Sequence, residues 1–133
     1  MRDLTAGEVV CINEAEVGPD LLADFGLLES AVLRPQPTVF GQDAYPDVDT
    51  KAAALLHSLI RNHPFVDGNK RTAVIAVLVY YGLNGFWLEA EQNELVAVAV
   101  DMAEGILDVA AIARRLKGWV RPLPPEQRSW RQS

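Results

Sequence analysis

The sequence predicts an all-helical single domain of about six helices, and three observations carry that expectation. Apolar residues recur at helical spacing in one segment after another, and capping residues stand ahead of those segments. The 133 residues, half of them apolar, suffice for one packed core and not for two. The domain is expected over residues 1–120, with 121–133 as a loose tail.

Thr5-Ala6-Gly7-Glu8 has the spacing of a capping box and predicts a first helix running to about Val17. After the turn at Gly18-Pro19-Asp20, Leu27, Leu28, Ala31 and Val32 form a second helical stripe that Pro35 ends. Residues 35–47 hold three prolines and one glycine, a long connection expected to be an ordered surface loop. From Asp49, residues Ala52, Leu55, Leu56, Leu59 and Ile60 share a face, while Lys51, Ser58 and Arg61 fall elsewhere, so a third helix should stop just before His63. Ala73 to Tyr81 is valine-rich, but it exceeds a typical strand and closes on Gly82 and Gly85, which favours a central helix buried on most sides. Phe86-Trp87-Leu88 fits a short extended piece. Helices are expected again over about Glu91–Glu104 and Asp108–Leu116, the latter capped by Asp108. Beyond Trp119 the chain is proline-rich and polar, with little to bury except Trp130.

Composition narrows the function classes. Eighteen acidic against twelve basic side chains give a net charge of −6, which disfavours direct nucleic-acid binding and anionic membranes. The single cysteine, Cys11, excludes an internal disulfide and fits the cytoplasm. The longest apolar run, Ala73 to Leu83, falls short of the roughly 20 residues that a bilayer requires.

One segment concentrates reactive groups: His63-Pro-Phe-Val-Asp67-Gly68-Asn69-Lys70-Arg71-Thr72. Taken singly, its members have plain structural explanations. Asp67-Gly68 suits a turn, Asn69 a helix cap, and Phe65 a core anchor. Lys70 and Arg71 do not, because cations in the first turn of a helix oppose its dipole at about 0.3–1 kcal/mol each. Two cations there, preceded by a glycine that lets a ligand approach the backbone, converge on an anion, most naturally a phosphate. Arginine would hold it through paired N–H groups and lysine as a point charge. Asp67 beside a phosphate calls for a bridging divalent ion, and Mg2+ characteristically takes one carboxylate plus phosphate oxygens. His63 can then take the proton from an attacking hydroxyl, since histidine changes charge near neutral pH.

This run resembles the signature of the Fic/Doc family, and weaker similarity in helix order and length extends over about residues 4–118. The resemblance implies an all-helical Fic/Doc-like catalytic domain with a flap-like loop near its active site, here residues 35–47. The adenylyl-transferring branch typically has glycine where this chain has Lys70 and a second arginine where it has Val74. Asn-Lys-Arg-Thr in so short a chain is similar instead to the Doc branch, the toxins of toxin–antitoxin pairs. That likeness implies transfer of the terminal phosphate of ATP to a threonine of elongation factor Tu, arresting translation. By position, His63 would be the base, Asp67 the magnesium ligand, and Gly68, Asn69, Lys70 and Arg71 the phosphate-binding group.

No serine or threonine is followed four residues later by glutamate, the mark of the inhibitory helix that many Fic proteins carry, so restraint is expected from a separate antitoxin. Such a partner would lay a helix-forming segment into an apolar groove near the site. Two alternatives stand beside this reading: AMP transfer, and a catalytically silent phosphate- or antitoxin-binding module.

Overall fold

The computed structural model describes residues 2–36, 38–39, 42–43 and 47–127. Six helices make the body: α1 (Ala6–Glu16), α2 (Phe25–Leu33), α3 (Val48–Asn62), α4 (Asn69–Leu83), α5 (Gln92–Ala103) and α6 (Val109–Trp119). The all-helical single domain expected from the sequence is what the chain forms. None of the described helices is long and apolar enough to cross a membrane.

The capping box at Thr5 and the cap at Asp108 stand where the sequence places them, and Asp24 and Asp47 add two further caps. Thr5 and Glu8 close a capping box on α1, and Asp24, Asp47 and Asp108 each accept a backbone N–H at the start of α2, α3 and α6. Burial, outweighed by the bond from Thr50 and the charge of Lys117, leaves the Asp47 carboxyl below the ordinary aspartate range. The valine-rich run is helical, and Ala73, Ala76, Val77 and Tyr80 are buried in the core.

The hub, however, is α3, which packs against α2, α4, α5 and α6. Ala52, Ala53 and Ala54 let neighbouring helices approach closely. Lys51 and Ser58, which the sequence places off the apolar face, are buried as well. Each is satisfied: the Lys51 ammonium donates to the Pro35 carbonyl at 3.1 Å, and the Ser58 hydroxyl donates to the Ala54 carbonyl one turn back. Asp49 is buried and accepts a 2.7 Å hydrogen bond from the Tyr81 hydroxyl of α4. Burial, then that bond, push the Tyr81 phenol well above its ordinary range.

Two small antiparallel pairs complete the fold. Strands β1 (Thr38–Val39) and β2 (Gln42–Asp43) pair within the loop expected to be a flap, the rest of which lies largely outside the described residues. Strand β3 (Phe86–Leu88) pairs with β4 (Val120–Pro122). The segment expected to be a loose tail therefore begins as a paired strand and continues into a 3-10 turn at Pro125–Gln127. Trp130 lies outside the described residues.

The end of α1 is fitted to the start of α4. Gly68 has φ +77°, and a Cβ placed on it would stand 2.3 Å from Cγ2 of Val17. Only glycine meets both conditions.

Two stability measurements check this packing. Gly68→Ala is expected to lower the unfolding free energy in urea by about 2–4 kcal/mol, from the left-handed backbone plus the clash. The steric share, and not the backbone share, should return in the Val17→Ala background. Tyr81→Phe leaves a buried carboxylate short of a donor and is expected to remove about 1–3 kcal/mol, whereas equal stability would show Asp49 to be otherwise satisfied.

Candidate active site

The turn between α3 and α4 is held by side chains whose groups the backbone requires. Asn69 stands in the first turn of α4, and its amide closes a pair of hydrogen bonds on Phe65: Oδ1 accepts the Phe65 N–H at 3.0 Å and Nδ2 donates to the Phe65 carbonyl at 2.8 Å. The sequence suggests that Asn69 caps the helix. The N-cap is instead Gly68, no side chain caps α4, and the asparagine amide satisfies the loop rather than the helix end. Phe65 is buried beneath it, as expected of a core anchor. From the other side, Leu22 bridges Phe65, the Val66 N–H donates to the Leu21 carbonyl at 2.7 Å, and the Ala23 N–H donates to the Pro64 carbonyl at 2.8 Å.

His63 ends α3 in the left-handed conformation, φ 47° and ψ 55°. Its Nδ1 lies 2.8 Å from the Ile60 carbonyl. A carbonyl only accepts, so Nδ1 carries the proton, and Nε2 of the neutral ring keeps its lone pair. This fixes the tautomer that a general base requires. The other histidine, His57, sits in mid-α3 with Nδ1 3.3 Å from Arg34, and burial followed by the charges of Arg34 and Arg61 pushes its pKa down. It belongs to the packing between α2 and α3.

Asp67 is exposed, and its Oδ1 accepts the Gly68 N–H at 2.8 Å. It forms no ion pair among the described residues. Lys70 and Arg71 are both exposed, and Arg71 pairs with Glu16 at 3.3 Å. All six residues singled out in the sequence, His63, Asp67, Gly68, Asn69, Lys70 and Arg71, line one cleft of about 390 Å³ together with Val66. A second cleft of about 350 Å³ between α4 and α5 shares Lys70 and Arg71 and is otherwise formed by Val74, Ile75, Gln92, Val96 and Ala99. The two cations thus divide a polar cleft from a mostly apolar one.

The uncapped start of α4 points free N–H groups and two cations at the first cleft, an arrangement suited to an anion. No cluster of three or more His, Cys, Asp or Glu side chains able to hold a metal occurs among the described residues. A lone carboxylate such as Asp67 suits a magnesium ion that arrives with phosphate oxygens, and does not suit one held by protein alone.

Sequence reasoning missed the contribution of α1. Asn13 is buried and its Nδ2 donates to the Asp67 carbonyl at 3.2 Å and to Thr72 Oγ1 at 3.0 Å. Asn62 donates to the Leu27 carbonyl at 2.9 Å and ties α3 to α2 beside the motif. The one local sign was Glu16, an acid at the C-terminal end of a helix, where the dipole disfavours it.

The chain is similar to known proteins along most of its length. The chain is 44% identical over 124 residues to "Toxin Doc" of Mycolicibacterium smegmatis, an alignment spanning 87% of each chain. It is 30% identical over 125 residues to "Protein kinase doc" of Escherichia phage P1, spanning 89% of this chain and 98% of that protein. The model of the Fic/DOC family matches residues 4–81, a stretch that holds α1 to α3, α4 as far as Tyr81 and every residue of the polar cleft, and the chain belongs to the Fic/DOC family.

Proposed function

We propose that this chain is the toxin of a toxin–antitoxin pair and that it transfers the terminal phosphate of ATP to a threonine hydroxyl of elongation factor Tu, in the cytoplasm. The observation that carries the reading is the hydrogen bond from His63 Nδ1 to Ile60, which leaves Nε2 basic in the cleft at the uncapped start of α4. The names of the relatives, a toxin and a protein kinase, support the same direction.

In this mechanism Nε2 of His63 takes the proton of the attacking hydroxyl as its oxygen bonds the terminal phosphorus. The bond from that phosphorus to the bridging oxygen breaks, and ADP leaves with the electron pair. Arg71, Lys70 and the first N–H groups of α4 hold phosphate oxygens, while Asn69 keeps the loop in shape from below. Asp67 would hold magnesium, which neutralises charge between phosphate groups when bound. The apolar cleft gives the nucleoside a place beside the same two cations, with the Gln92 amide at its edge.

Lys70 and Val74 favour phosphate over AMP transfer. A lysine in place of glycine fills part of the anion cradle and changes which phosphate faces His63. An antitoxin restraining the enzyme in trans belongs to this reading. Ile75 and Val96 line the apolar cleft, and Val79 and Val100, one helical turn further along α4 and α5, are exposed apolar residues of the kind that an amphipathic helix covers.

Intact-mass analysis of elongation factor Tu after incubation with the chain, magnesium and ATP tests the proposal. The expected result is a gain of one phosphate, with the rate lowered about 10²- to 10⁴-fold by His63→Ala. A gain of one AMP would assign adenylyl transfer instead, and no gain would remove elongation factor Tu as the target. Lys70→Gly is expected to divert the reaction from phosphate towards AMP, and undiminished transfer of the terminal phosphate would overturn the role given to Lys70.

A further inference from the structure

Glu16 closes α1 and meets Arg71 in the first turn of α4 at 3.3 Å. Both charges stand at the wrong ends of their helices. The last turn of α1 holds no basic residue and the first turn of α4 no acidic one, so neither helix relieves its own mismatch. Each charge is relieved by the other. The same turn of α1 makes two more contacts with the motif, through Asn13 to Asp67 and Thr72 and through Val17 against Gly68. The end of α1 is therefore registered on the motif by packing and hydrogen bonding, independently of Glu16.

That registration gives the ion pair a use. The Arg71 side chain is 61% exposed, whereas that of Glu16 is 32% exposed, so the arginine is the freer partner and the glutamate the better-held one. An exposed arginine spreads over many rotamers, and ordering it on ligand binding weakens affinity. A guanidinium has five N–H donors in a rigid fork, so one edge can hold a carboxylate while the rest face a phosphate.

We propose that Glu16 is a positioning residue that keeps the Arg71 guanidinium over the polar cleft, so that its remaining donors are ready for a phosphate oxygen. The inference rests on the reading of that cleft as a phosphate site. It assigns Glu16 no contact with the substrate.

Calorimetric titration with Mg-ATP of the wild type, Glu16→Ala, Glu16→Gln, Arg71→Gln and the double variant Glu16→Ala/Arg71→Gln tests it, with thermal unfolding run alongside. Glu16→Ala is expected to weaken binding about two- to fivefold, the range of a partly exposed ion pair. Glu16→Gln should recover part of the loss, because its amide oxygen still accepts a guanidinium N–H, and this variant serves if the alanine form folds poorly. The double variant should bind no more weakly than Arg71→Gln alone, since Glu16 acts only through Arg71. Where transfer is measured, the nucleotide KM should move more than kcat. Thermal midpoints should stay together, which a merely structural contact would not allow. Unchanged or tighter binding by Glu16→Ala, with Arg71→Gln weakened, would overturn the role of Glu16 and leave the phosphate site standing. Absence of binding by the wild type, or no effect of Arg71→Gln, would remove the phosphate site and this inference with it.

Discussion

The structure depends on a turn that must do two opposed things. It has to reverse the chain between two buried helices, which requires its polar backbone to be satisfied, and it has to leave the first N–H groups of α4 unused. The Asn69 amide resolves the conflict by bonding both the N–H and the carbonyl of Phe65 from within the loop. Because the cap position is Gly68, which has no side chain, α4 is left without a side-chain cap, and its positive end opens on the cleft.

The same turn explains the attachment of α1. With Gly68 in the left-handed region and Val17 packed where a Cβ would stand, the backbone beside the cleft has one conformation. Asn13 secures it from beneath, through the Asp67 carbonyl and the Thr72 hydroxyl. His63 is held in the same way, its ring fixed by Ile60 and its loop by Leu21 and Ala23. Preorganisation of this kind lets a small domain present reacting groups without a large conformational change.

Charge is distributed to the same end. The chain carries a net −6, yet Lys70 and Arg71 stand together at the mouth of two clefts. An overall negative protein repels extended polyanions, while a local pair of cations at a helix start still attracts a small one. Inside the α3 hub the buried charges are answered, Lys51 by the Pro35 carbonyl and Asp49 by the Tyr81 hydroxyl.

The sequence by itself determined the helix order, because caps and apolar spacing are local: Thr5, Asp24, Asp47 and Asp108 each act within four residues of their own position. It also picked out the residues that line the polar cleft, since His63 to Arg71 are contiguous and two cations at a helix start conflict with the dipole wherever that helix packs. What tertiary structure decided was everything that joins segments distant along the chain. That α3 rather than α4 is the hub follows from its alanines and from the Pro35 carbonyl that Lys51 finds outside the helix, which no periodicity reveals. Pairing of Val120–Pro122 with Phe86–Leu88 places the first two residues of the expected tail in a strand, because β-pairing takes its partner from elsewhere. The direction of the Asn69 side chain, the placement of Asn13, Glu16 and Val17 on the motif, and the free nitrogen of His63 arise only when the end of α1 meets the start of α4 and the turn closes. Hydrogen bonds and close packing act over a few ångströms in space, and the sequence records only distance along the chain.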